Sequence, residues 1–184
     1  MDPIANNGPF WVFAYGSLLW DPGFHPAETM TADLPDYARS FCMLSIHHRG
    51  TEADPGLVLA LDSQFGAACT GVALRVADTD RDAVLGMLRD RELISSAYQE
   101  RWVKVRLRDG RQVAALAYVI DPAHRQYCRF DPEIQAVMIA RAQGGRGPNR
   151  DYLFNTVAHL EQLGIADPAL TALAARVIVL CSTG

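Results

Sequence analysis

A chain of 184 residues, 49% hydrophobic and 21% charged, has enough apolar mass to fold and too much to stay disordered. Its formal net charge is −4, with 17 basic side chains scattered among 21 acidic ones, so no basic stripe marks a nucleic-acid partner. No apolar run approaches the roughly 20 residues that cross a bilayer, and MDPIANNG lacks a signal-peptide pattern, which excludes a membrane partner and predicts a cytoplasmic protein.

Taken in chain order, residues 1–9 read as a flexible tail, and one domain is expected over 10–184. FWVFAY (10–15) is a short buried strand, broken at Gly16-Ser17 before leucine and tryptophan resume. Residues 21–36 hold several prolines and read as irregular loop. ARSFCMLSI (38–46) is a second strand, and HHRGTEADPG a loop with turn punctuation. LVLAL (57–61) and CTGVALRV (69–76) are two strands separated by a turn at 63–66. A helix capped by Asp78 or Thr79 follows, with Val84, Leu85, Met87 and Leu88 on one face, ending near Arg91. Residues 92–100 fit no single pattern. RWVKVRL (101–107) and QVAALAYVI (112–120) form a hairpin about Asp109-Gly110.

Three helices finish the chain. Asp131-Pro132 opens the first, with Ile134, Val137 and Met138 inward, and Gly144-Gly145 stops it. Asn149 caps the second, with Leu153, Val157, Leu160 and Leu163 inward. Asp167-Pro168 opens the third, with Leu170, Leu173, Ala174 and Val177 inward. Strands come first and helices gather late, so the class is α+β, with a largely antiparallel sheet or barrel.

Few residues suggest chemistry by pattern alone. Cys42, Cys69, Cys128 and Cys181 form no C-x-x-C pair and read as small apolar fillers. Adjacent His47 and His48 would face opposite sides of a strand, so no metal site is expected. GGRGPNR (144–150) lacks the Lys-Ser/Thr of a phosphate loop. The turn at Tyr15-Gly16-Ser17-Leu18 is either an ordinary strand exit or a concavity of backbone N–H groups for an anion or oxyanion. Glu92, just past a helix end and beside Leu93 and Ile94, is a candidate acid–base group, its proton affinity opposed by Arg89 and Arg91. Glu100 is its rival.

The blocks FAYGSLLW, HHRGTEADPG, LRDRELISSAY and GPNRDYL, in that order and spacing, resemble the ChaC-type γ-glutamylcyclotransferases from about Trp11 to Leu163. The tail and the last helix fall outside the recognisable pattern. The resemblance implies a small mixed β-barrel with packed helices. It implies an enzyme that cleaves the γ-glutamyl amide of glutathione, a small-molecule substrate, to 5-oxoproline and cysteinylglycine with no metal or organic cofactor. It assigns Glu92 as the catalytic group and Tyr15, Gly16, Ser17 and Leu18 as the substrate cradle, with Arg49 and Tyr152 beside the substrate. Where eukaryotic members often carry a glycine-rich turn after the Arg-Glu pair, this chain has Leu93-Ile94-Ser95-Ser96-Ala97-Tyr98, which resembles the bacterial style. A non-catalytic binding module of the same fold, or a cyclotransferase for other γ-glutamyl peptides or amines, are the alternatives.

Overall fold

Phe10–Ala14 forms strand β1, an unbroken apolar run buried at every position, as expected of a strand covered on both faces. The computed structural model describes residues 10–182; the expected tail at 1–9 lies outside them. The chain continues through β2 (Glu28–Ser45), β3 (Gly56–Val76), α1 (Arg81–Glu92), β4 (Tyr98–Leu107) and β5 (Gln112–Ile120). It ends with α2 (Pro132–Arg141), a small hairpin of β6 (Gln143–Gly144) and β7 (Gly147–Pro148), α3 (Asn149–Gln162) and α4 (Pro168–Ser182). Five strands close a barrel in the order β1-β3-β2-β4-β5. The α+β class and the mixed barrel are therefore as expected: β1 runs antiparallel to β3 and parallel to β5.

Contacts divide the chain into two compact units. One holds the described residues up to Arg39 together with Leu61–His124; the other holds Ser40–Ala60 and the chain from Arg125. In the first unit, Trp11, Phe13, Leu34, Leu61, Val105 and Val119 belong to one buried cluster. The hairpin of β4 and β5 runs in register from Tyr98↔Ile120 to Arg106↔Gln112. In the second, α2, α3 and α4 pack on one another.

Several expected boundaries move. The loop assigned to 21–36 gives way to strand from Glu28, because Met30, Ala32 and Leu34 alternate toward the buried cluster. The two strands expected at 57–61 and 69–76 are one, β3. Its turn signal is spent as an irregularity within the strand: Gly66 has φ +80° and its N–H donates to Asp36 Oδ1 at 2.9 Å, with Asp36 itself at φ +63°. A 3-10 turn at Asp78–Asp80 precedes α1, so Asp80 occupies the cap position, without a side-chain cap bond. Helix α1 includes Glu92.

On α2 the buried residues are Ala136 and Ile139, while Ile134 and Val137 face outward at 48% and 40% exposure. The apolar stripe was read one step round the helix. That helix stops at Ala142, which turns extended (φ −67°, ψ 143°) ahead of the glycine pair. Pro148 precedes α3 and Asn149 is its first residue; Leu163 is exposed. Leu170, Leu173, Ala174 and Val177 of α4 are buried as expected, and Asp167 Oδ1 accepts from the Leu170 N–H at 3.2 Å. Cys42, Cys69 and Cys128 are buried fillers, but Cys181 is exposed.

Candidate active site

Strand β1 ends at Ala14, and Gly16 leaves it at φ −134°, ψ −127° to open a single 3-10 turn over Ser17–Leu19. The turn closes on itself: the Leu19 N–H donates to Gly16 O at 2.9 Å and the Asp21 N–H to Ser17 O at 3.0 Å. The N–H groups of Gly16, Ser17 and Leu18 precede the first of these bonds, so none is spent within the turn. Leu18 is buried, and Tyr15 is buried with its hydroxyl donating to Tyr118 O at 2.9 Å. The Tyr15 side chain thus pins the turn to β5, and the amides not spent within the turn belong to the other three residues of the expected cradle.

Glu92 comes to this turn through the side chain of Arg91. Arg91 Nε lies 3.2 Å from Glu92 Oε1, its Nη2 donates to Ser17 Oγ at 3.0 Å, and its Nη1 donates to Asp21 O at 2.7 Å. One guanidinium therefore touches the candidate acid–base group and the candidate donor turn together. The Glu92 side chain is 15% exposed and that of Arg91 20%, so the pair is shielded more than a surface ion pair is.

A second carboxylate stands close by. Glu100 lies directly across the β4–β5 ladder from Tyr118. Arg89 grips both of its oxygens at 2.7 and 2.8 Å, and the Tyr118 hydroxyl donates to Glu100 Oε2 at 3.4 Å. Burial, then the nearby charges of Glu100 and Glu92, push the Tyr118 hydroxyl well above the ordinary tyrosine range. Tyr118 is consequently a neutral hydrogen-bond donor at any physiological pH. The bidentate fork on Glu100 favours fixed geometry.

Arg49 and Tyr152 lie in the second unit and meet each other, the guanidinium standing 5.7 Å from the ring centre. Arg49 Nη1 donates to Arg146 O at 2.7 Å and to Pro148 O at 3.2 Å. The Tyr152 hydroxyl accepts from the Leu59 N–H at 3.3 Å, and its ring meets Phe41 edge-on at 6.0 Å. Nearby, the wholly buried Asn149 side chain bonds both backbone groups of Leu57 at 2.7 Å each. The glycines of GGRGPNR serve close packing: a Cβ on Gly144 would sit 2.5 Å from the Gly50 nitrogen and 2.6 Å from the His48 carbonyl. The N–H groups of Gly145 and Arg146 donate to His47 O and His48 O, at 2.8 and 2.9 Å. Burial, then the Arg146, His47 and Arg49 charges, hold His48 below its ordinary value.

Sequence reasoning passed over Arg39, Arg91 and Tyr118 and left Glu100 as a rival. Arg91 was weighed only as a charge beside Glu92. The pairing of Glu100 with Tyr118 was available once the hairpin about Asp109-Gly110 had been set in register. No local signal marks Arg39, whose partners lie 24 and 31 residues away. Among the described residues, no three His, Cys, Asp or Glu side chains stand together to hold a metal ion.

The sequence model of the ChaC-like protein family matches residues 10–179. The chain belongs to the ChaC-like protein family. The match runs into α4, beyond the expected limit at Leu163. This ChaC-like chain is 38% identical over 170 residues to an Escherichia coli protein named glutathione-specific γ-glutamylcyclotransferase, covering 91% of this chain and 72% of that one. It is 34% identical over 174 residues to the Arabidopsis thaliana γ-glutamylcyclotransferase 2-3, covering 91% and 87%. Its fold matches a crystal structure of a γ-glutamyl cyclotransferase specific to glutathione from yeast, with a TM-score of 0.83, 24% identity, and 92% and 95% of the two chains covered.

Proposed function

We propose that this chain is a glutathione-specific γ-glutamylcyclotransferase, a lyase that cleaves the γ-glutamyl amide of glutathione and releases 5-oxoproline and cysteinylglycine in the cytoplasm. Residues 10–184 act in this reading as one catalytic domain. The observation that carries it is the Arg91 guanidinium, whose contacts reach Ser17 on one side and Glu92 on the other. The relatives named for this activity at 38% identity and below give it chemical content.

In this mechanism the substrate supplies its own nucleophile. The α-amine of the glutamyl residue attacks the γ-carbonyl, a five-membered ring closes, and the amide C–N bond to cysteine breaks. Two protons leave the α-nitrogen in all, and the departing nitrogen gains two. Glu92 relays them in turn, as base toward the ammonium and then as acid toward the leaving group. An amine of this kind is protonated at neutral pH, with a pKa near 8, so the reaction waits on that base.

Ring closure also needs the flexible glutamyl chain folded on itself, and fixed orientation is worth about 7–11 kcal/mol in favourable systems. The amides of Gly16, Ser17 and Leu18 cradle the substrate and stabilise the tetrahedral oxyanion, one such donor being worth about 3–4 kcal/mol. Arg49 brings a cation suited to a substrate carboxylate, and Tyr152 a ring beside it. The test is direct. The purified chain is incubated with glutathione, γ-glutamyl dipeptides and γ-glutamylamines, and 5-oxoproline is quantified by mass spectrometry. Turnover of glutathione well above the others is expected. Binding without 5-oxoproline release would leave only a binding module, and a preference for another γ-glutamyl compound would reassign the substrate.

A further inference from the structure

We propose that Arg39 is a positioning residue that aims the first donor of the turn, the Gly16 amide. A peptide group is rigid and planar, and its C=O and N–H point in opposite directions. Holding the carbonyl therefore fixes where the N–H points. The Ser17 and Leu18 amides belong to peptides whose carbonyls, Gly16 O and Ser17 O, accept bonds from inside the turn at 2.9 and 3.0 Å. The Gly16 amide belongs to the Tyr15–Gly16 peptide, which lies upstream of those bonds. That peptide also ends in the residue with the widest conformational freedom.

Arg39, on β2, holds the carbonyl of this peptide. Its Nε donates to Tyr15 O at 2.6 Å while its Nη2 donates to Thr70 O on β3, also at 2.6 Å. The guanidinium fork fastens this peptide to a barrel strand. Both bonds are charge-assisted and short, and a carbonyl polarised this way makes the N–H of the same peptide a stronger donor. Lysine, a point charge on a flexible stem, reproduces the charge without the fork.

This inference rests on the cyclotransferase reading, and its test separates the two. Wild type, Arg39→Gln and Arg39→Lys are prepared as full chains labelled with 15N-glycine, and the Gly16 amide resonance is identified by its loss in Gly16→Ala. Glutamine is expected to move or broaden the Gly16 resonance and that of Gly71, whose N–H shares a peptide with Thr70 O, while the remaining glycine amides keep their positions. It lowers kcat/KM for 5-oxoproline release about 10- to 100-fold, and lysine restores part of that loss. An unmoved Gly16 resonance in both variants, or a kcat/KM within about threefold of wild type in Arg39→Gln, overturns the assignment. If Arg39→Gln does not fold, Arg39→Lys decides alone: there an unmoved Gly16 resonance overturns the assignment. Should the wild type release no 5-oxoproline, the functional reading falls, and the Gly16 resonance still reports whether Arg39 holds that amide.

Discussion

Two regions carry residues of the same family motifs and use them differently. Around the turn at 16–19, the motif residues are braced by their neighbours: Tyr15 is pinned to Tyr118 O, and Arg91 spans Ser17 and Glu92. The amides and the acid are held by other groups. In the HHRG and GPNRDY blocks, the motif residues do the bracing: Arg49 takes two carbonyls, Asn149 takes both backbone groups of Leu57, and Tyr152 accepts from Leu59. The contacts of a motif residue therefore predict whether its loss shows first in turnover or in stability.

The sharpest break between the regions is expected at Glu92. Glu92→Gln keeps the shape and removes the relay, so 5-oxoproline release falls about 100-fold or more with the thermal midpoint nearly unchanged. Near-normal turnover would take Glu92 out of the mechanism. Ser17→Pro tests the other half of the site. Proline is tolerated at a first helical position, so the turn survives while one N–H donor disappears, and kcat/KM drops about 100-fold. Ser17→Ala keeps that N–H and loses only the hydroxyl that Arg91 grips, so a drop of a few-fold is expected. Equal effects from the two variants would assign the role to the hydroxyl instead of the backbone.

The second region inverts this pattern. Asn149→Ala leaves the buried N–H and C=O of Leu57 without partners, which should lower unfolding stability by about 2–4 kcal/mol in urea titrations. Asn149→Asp keeps the acceptor for the Leu57 N–H and lacks the donor for its carbonyl. A carboxylate must then be buried, so it should not recover the stability of the amide. Loss of turnover in Asn149→Ala with an unchanged urea midpoint would erase the distinction between the regions.

How much of this was legible depended on the range over which each signal acts. Period-2 alternation located β4 and β5 and the turn between them, and the Asp-Pro openings located α2 and α4, because these depend on neighbours in sequence. Prolines hid the first half of β2, though Met30, Ala32 and Leu34 alternate plainly. A turn signal at Ser63–Gly66 split β3, because a glycine at positive φ marks a strand irregularity as readily as a reversal. On α2, Ile134 and Val137 looked inward since apolar residues at helical spacing usually are; the chain buries Ala136 and Ile139 instead. Near the expected site, the break after β1 and the place of Glu92 at the end of α1 were readable from local pattern. Arg39 was not, because its two acceptors are carbonyls of residues 15 and 70, and no side-chain pattern encodes a carbonyl's direction.

The smallest expected effect concerns pH and belongs to the second region. His48 is held below its ordinary value of 6.5, first by burial and then by Arg146, His47 and Arg49. The unfolded chain therefore binds a proton at His48 more readily than the folded one, and stability rises with pH through that window. It is complete above about pH 6.5 and declines as pH falls below that value toward the lowered folded one. In His48→Gln nothing titrates at this position. The urea midpoint should accordingly fall less in the variant than in the wild type between about pH 7.5 and about pH 5.5. An identical pH slope of stability in the two proteins would mean that the cationic loop is relaxed enough to accept the proton without strain.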